Sequence, residues 1–176
     1  MQRSLVMTVI GRDRPGLVDS VASLVAEHGG NWLESRMSRL GGQFAGIVQV
    51  EVPSDRERAL TDALRNLGAQ GLKVEVHPDP SPRPAREGPL TVLELVGQDR
   101  PGIVRQISHA LARFQVNVEE LHTECASAAM SGETLFKARA LLDIPQSCNP
   151  AELRAELEKI AADLIVEISL QQTSSR

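Results

Sequence analysis

A repeat constrains this chain more than any other feature. Residues 11–18 read GRDRPGLV and residues 97–104 read GQDRPGIV, with six identities in eight positions. The offset is 97 minus 11, or 86 residues, and at that offset Asn31 also matches Asn117 and Glu34 matches Glu120. An apolar stretch precedes each copy, LVMTVI at 5–10 and TVLELV at 91–96. Agreement on both sides of the motif makes duplication the simplest account. A chain of 176 residues then divides into two modules, each large enough for a small, marginal core.

Each copy spells the same six elements. In the first, residues 4–10 are predicted as a strand and Gly11 to Gly16 as a turn. A helix follows, with Leu17, Val18, Val21, Leu24, Val25 and His28 at helical spacing, and Gly29-Gly30 stops it. Asp13 is the expected N-cap and Pro15 suits the first helical turn. Residues 31–39 and 43–52 read as strands around a Gly41-Gly42 hairpin. Residues 55–67 read as a helix ended by Gly68, and 72–77 as a final alternating strand.

The second copy gives a strand at 90–96 and a helix with Ile103, Val104, Ile107, Leu111 and Phe114 on one face. Strands at 116–124 and 134–143, a helix at 150–161 and a strand at 164–170 complete it. A stretch from Ala126 to Gly132 makes this copy about six residues longer before its third strand ends. The order is βαββαβ, twice. Two helices must cover a four-stranded sheet on one face. Right-handed crossovers then favour an α+β fold, two ferredoxin-like sandwiches with antiparallel four-stranded sheets. The domains are expected at 1–77 and 90–176, joined by a Pro-rich linker at 78–89, PDPSPRPAREGP.

Strand 5–10 is apolar on both faces: Leu5, Met7 and Val9 on one, Val6 and Ile10 on the other with Thr8 between them. A sheet with one wet face would be more polar on one parity. The helix-free face is therefore expected to be at least partly covered by another module or another chain. The alternative is that Val6 and Ile10 are tolerated on a partly exposed central strand.

Composition narrows the chemistry. Net charge is -4 and no block of Lys and Arg stands out, so a phosphate-binding face has no obvious source. Three Phe, one Trp and no Tyr give little material for base stacking. Direct nucleic-acid binding is not expected. The loop GRDRPG lacks the glycine spacing and the Gly-Lys-[Ser/Thr] ending of phosphate loops. His28, His77, His109 and His122 are scattered over different elements, and Cys125 and Cys148 have no counterparts in the first copy. Glu120, His122 and Glu124 can share a strand face, but they read as a polar sheet edge rather than a metal site. No enzyme, metal or cofactor is expected. Two cysteines and the absence of a signal-like or membrane-spanning run suggest a reduced, cytoplasmic chain.

The strand, the Gly-x-Asp-Arg-Pro-Gly-[Leu/Ile]-Val motif, the βαββαβ order and the Asn opening the second strand together resemble the ACT domain. The resemblance covers residues 3–77 and 89–171. Two such domains with no catalytic partner resemble the glycine cleavage system transcriptional repressor family. The resemblance implies a regulatory protein that responds to a small amino acid such as glycine or serine. It also implies action through a transcription-factor partner, and it is compatible with a homodimer. The alternative is an ACT-fold interaction module without a ligand.

The resemblance places a ligand between paired modules, near the first turn and against the second strand. It points to Asp13, Pro15, Gly16, Leu17 and Asn31 in the first copy, and to Asp99, Pro101, Gly102, Ile103 and Asn117 in the second. Physical reasoning is compatible with those positions. Glycine before a helix lets backbone N–H groups approach a ligand, a helix N-terminus favours a carboxylate, and Asn offers both donor and acceptor. The same residues could instead shape the turn, cap the helix or fill the core.

Overall fold

A computed structural model of the chain describes residues 1–78, 89–127 and 134–173. The predicted linker, apart from its end residues Pro78 and Pro89, and most of the Ala126–Gly132 stretch lie outside the described residues. The chain divides into two compact units, Met1–Pro84 and Ala85–Arg176.

The first unit runs β1 (Gln2–Arg12), α1 (Leu17–Glu27), β2 (Asn31–Leu40), β3 (Gln43–Pro53), α2 (Glu57–Asn66) and β4 (Leu72–Pro78). The second runs β5 (Thr91–Gln98), α3 (Ile103–Arg113), β6 (Asn117–Ser127), β7 (Thr134–Asp143), α4 (Pro150–Leu164) and β8 (Val166–Gln172). Strand orders are β2-β3-β1-β4 and β6-β7-β5-β8, and all strand pairs are antiparallel. Both units are ferredoxin-like α+β sandwiches, as the repeat implied.

Each sheet buries one face under its helices. In the first unit Leu5, Met7 and Val9 of β1 and Val48, Val50 and Val52 of β3 meet Val21 and Val25 of α1 and Leu60 and Leu64 of α2. The second unit has its own core, in which Leu93 and Leu95 of β5 and Leu142 of β7 meet Ile107 of α3 and Leu157 of α4. The opposite parity of β1 behaves differently: Val6 is half-buried, Thr8 is exposed and Ile10 is 47% exposed.

Several elements differ from the sequence reading. β1 does not end at Ile10. Gly11 and Arg12 still pair with Phe44 and Gln43 of β3, so the turn is Asp13 to Gly16. β5 likewise continues through Gly97 and Gln98. These glycines serve strand packing: a Cβ on Gly11 would stand 2.6 Å from the Gly71 carbonyl oxygen, and one on Gly97 2.4 Å from Val166 Cγ1. Helix α2 passes into a short 3₁₀ turn, Leu67–Gln70, because Leu67 is buried and Gly71, not Gly68, takes the left-handed conformation that ends it. The Gly41-Gly42 hairpin has positive φ at both residues, 57° and 78°, as a tight two-residue turn requires. Helix α4 runs three residues past the predicted end, to Leu164, which is buried, and Ile165 closes it at φ 57°.

Candidate functional site at the first turn

The backbone of the turn is the same in both units. At the end of β1 the Asp13 N–H donates to the Gly42 carbonyl at 3.0 Å, and the Asp99 N–H donates to that of Thr134 at the same distance. The chain then reverses through Arg14-Pro15 or Arg100-Pro101. Gly16 and Gly102 follow with φ of 87° and 94°, values that an L side chain disfavours. These glycines are the N-caps of α1 and α3, and no side chain caps either helix. The expected capping role of Asp13 is therefore incorrect, and Pro15 lies before the helix rather than in its first turn. The left-handed glycine occupies the cap position and puts Asp13 three residues away from it. The Gly16 carbonyl accepts from the Ser20 N–H at 2.9 Å and from Ser20 Oγ at 2.8 Å. The helix's first N–H groups have no intrahelical acceptor and face the turn.

In the first unit this turn borders a cavity of about 320 Å³ lined by Asp13, Arg14, Gly16, Leu17, Val18, Asp19 and Phe44. Asp13 is held from across the hairpin by Arg39, whose Nε lies 3.5 Å from Oδ2. Arg14 donates to the Gln70 carbonyl at 3.3 Å, which ties the turn to the end of the 3₁₀ segment. The mouth thus carries two carboxylates and two guanidinium groups around an uncapped helix end. Leu17 is only 4% exposed, so it forms the cavity floor as part of the core.

The structure brings Asp13, Gly16 and Leu17 together at this cavity, with Pro15 in the same turn. It does not bring Asn31 there. Gln43 of β3 stands beside Arg12, whereas Glu51 stands beside Asn31. Eight residues of strand separate the two ends, about 27 Å. Asn117 lies opposite Asp143, equally far from the turn in its own unit. An Asn contact to a ligand at this turn would have to come from another module. Both Asn residues instead begin an edge strand that bulges two residues later, between Trp32 and Glu34 and between Val118 and Glu120.

Sequence reasoning missed Asp19, Phe44 and Arg39. The Arg39–Phe44 pair could have been found from the hairpin register, since counting out from Gly41-Gly42 sets these two residues opposite each other.

The second unit keeps the backbone and changes the side chains. The repeat offset puts Arg105 where the first unit has Asp19, and the strand registers put Cys125 where it has Arg39. Asp99 makes no ion pair among the described residues, and Arg100 donates to Gln98 at 3.1 Å. Ile103 is 2% exposed and belongs to the core. Elsewhere, Glu120, His122 and Glu124 do share the helix-free face. They lie opposite Leu141, Arg139 and Lys137, and Lys137 pairs with Glu124 at 3.7 Å. Among the described residues no group of three or more His, Cys, Asp or Glu is arranged to hold a metal. No helix among them is long and apolar enough to cross a membrane.

A pair of βαββαβ sandwiches with a Gly-x-Asp-Arg-Pro-Gly turn at each first helix defines a tandem regulatory-domain architecture. The ACT domain family model matches residues 3–77 and 90–171, and the chain belongs to that family. ACT domains are regulatory and sensory modules, generally amino-acid-responsive, and not catalytic ones. The chain is 22% identical over 170 residues to the glycine cleavage system transcriptional repressor of Escherichia coli (strain K12), covering 96% of this chain and 90% of that protein. A crystal structure of an unknown protein from Galdieria sulphuraria superposes with a TM-score of 0.84 at 28% identity, covering 99% and 100% of the two chains. Another, provisionally named as a glycine cleavage system transcriptional repressor, has a TM-score of 0.71 at 21% identity and 99% coverage of both, a likeness of fold.

Proposed function

We propose that this protein is an amino-acid-responsive regulator of the glycine cleavage repressor type. It binds a small amino acid such as glycine or serine at the first turn and acts on a transcription factor by protein contact. The observation that carries this reading is the cavity at the α1 N-terminus. Its volume, about 320 Å³, is at the small end of ligand clefts, which suits a small molecule better than a nucleotide. Uncapped N–H groups at the helix start favour the ligand's carboxylate, and Asp13 and Asp19 favour its ammonium group. Full-length similarity to the Escherichia coli repressor supports the transcriptional part. The net charge of -4 supports action through a protein rather than on DNA.

The second unit favours the alternative of an interaction module without a ligand. Arg105 and Cys125 replace the acid and the base that flank the first site. Calorimetric titration of the full chain with glycine, serine and the other amino acids tests the reading. One binding event per chain for a small amino acid is expected. Flat traces for all of them would end the sensor proposal and leave the interaction module for both units.

A further inference from the structure

The two helix-free sheet faces differ at their centres. In the first sheet the central strands present Val6, Thr8 and Ile10 against Gln49, Ile47 and Ala45, with no charge among them. Ile10 and Ile47 are 47% and 56% exposed. At the corresponding places the second sheet carries Glu94, Arg139 and Lys137, and Glu94 pairs with Arg139 at 3.7 Å. Beyond that uncharged centre, the first face carries Arg12 and Glu51 at opposite ends of β1 and β3, and its other charges on the flanking strands. Glu34 and Arg36 stand on β2, 3.4 Å apart, and Lys73 and Glu75 stand on β4, 2.8 Å apart.

We propose that the helix-free face of the first sheet pairs with the same face of a second copy of this chain, about a two-fold axis parallel to the strands. The register supplies the argument. One cross-strand row reads Arg36, Ile47, Thr8, Glu75, and the next reads Glu34, Gln49, Val6, His77. Rotation about an axis between β1 and β3 keeps each row at its height and lays β2 over β4 of the other copy. Arg36 then meets Glu75 of the second copy, Glu34 meets His77, and Ile47 covers Thr8. Both rim contacts are complementary and the centre is uncharged, as aligned sheet packing requires. The same operation on the second sheet sets Glu124 against Glu167 of the other copy and buries Glu94, Lys137 and Arg139, so that face is the wrong one for self-pairing. The inference stands apart from the ligand reading, because this face does not include the turn.

Sedimentation of the full chain tests it. A species of twice 19.1 kDa is expected. Ile47→Arg should weaken the dimer at least about tenfold by burying two unpaired guanidinium groups. Circular dichroism should stay unchanged, because Ile47 is exposed in the single chain. Arg36→Glu and Glu75→Arg should each weaken it, and the double exchange should restore it. The two residues lie three strand spacings apart in one sheet, about 14 Å, so restoration cannot come from within the chain. A monomer at every concentration up to about 100 μM would overturn the proposal, since a specific pair should form below that. So would a dimer indifferent to Ile47→Arg, or one broken by Val92→Glu on the second face instead.

Discussion

The two first turns share a backbone and differ in what surrounds it. Both follow a strand whose next-to-last residue is a glycine that lets a neighbouring strand approach, and both start a helix on a left-handed glycine with no side-chain cap. Around that common frame the first unit places Asp13, Asp19, Arg14 and Arg39, while the second places Asp99, Arg100, Arg105 and Cys125. The lesson is that the repeated letters of the motif mostly serve the fold. The residues that set the two turns apart lie outside it, in the first turn of the helix and across the hairpin.

The comparison can be broken most severely at the shared frame. Gly11→Val and Gly97→Val should each cost about 2–3 kcal/mol or more, because each added side chain meets atoms inside contact distance. Both added side chains meet backbone, at the Gly71 carbonyl oxygen 2.6 Å from Gly11 and at Val166 Cα 2.8 Å from Gly97, so neither neighbour can swing aside and the two variants should lose stability to a similar degree in thermal unfolding. Equal, negligible shifts would mean the strand ends relax freely. Gly16→Ala and Gly102→Ala come next. No atom lies within 4 Å of either added Cβ, so only the backbone conformation is strained, at about 1–2 kcal/mol in each unit. The two should therefore be alike in stability, whereas only Gly16→Ala should change affinity for a small amino acid.

The difference between the turns can be sharpened by exchange. Asp19→Arg with Arg39→Cys gives the first turn the side chains of the second, and calorimetry should show binding weakened at least about tenfold. Binding equal to that of the unaltered chain would mean that these residues do not distinguish the sites. The smallest expected contrast concerns the two cysteines. Cys125 is exposed, whereas burial, and secondarily the nearby Glu152 carboxylate, push the Cys148 thiol above its ordinary range. The raised pKa disfavours the Cys148 thiolate and its side chain is partly buried, so iodoacetamide should label the exposed Cys125 first by mass spectrometry. Faster labelling of Cys148 would contradict its partial burial.

Much of the fold was legible because the repeat and the apolar spacing are encoded locally. Strand parity in β1 separated Leu5, Met7 and Val9, which form core, from Val6 and Ile10 without saying which set is buried, and Gly41-Gly42 announced its hairpin. The boundaries that failed were set by tertiary pairing. Gly11 and Gly97 read as turn residues in sequence, yet cross-strand partners keep them in the sheet. Gly68 read as a helix stop, but burial of Leu67 carries the chain on to Gly71. The candidate site was legible only in its backbone. Asp13, Gly16 and Leu17 belong to the motif, while Phe44 and Arg39 reach the turn through the β2–β3 register. Asn31 and Asn117 matched in the repeat, but the same register carries them to the far end of each sheet.

The central claim is that the first turn, and not the second, receives a small amino acid. Titrating the isotope-labelled full chain with glycine and with serine, while following backbone amide resonances, tests it most directly. The account expects saturable shifts at the amides of Gly16, Leu17, Val18 and Asp19, with those of Gly102 to Arg105 unmoved. Shifts confined to the second turn, equal shifts at both, or no shift with any amino acid would contradict it.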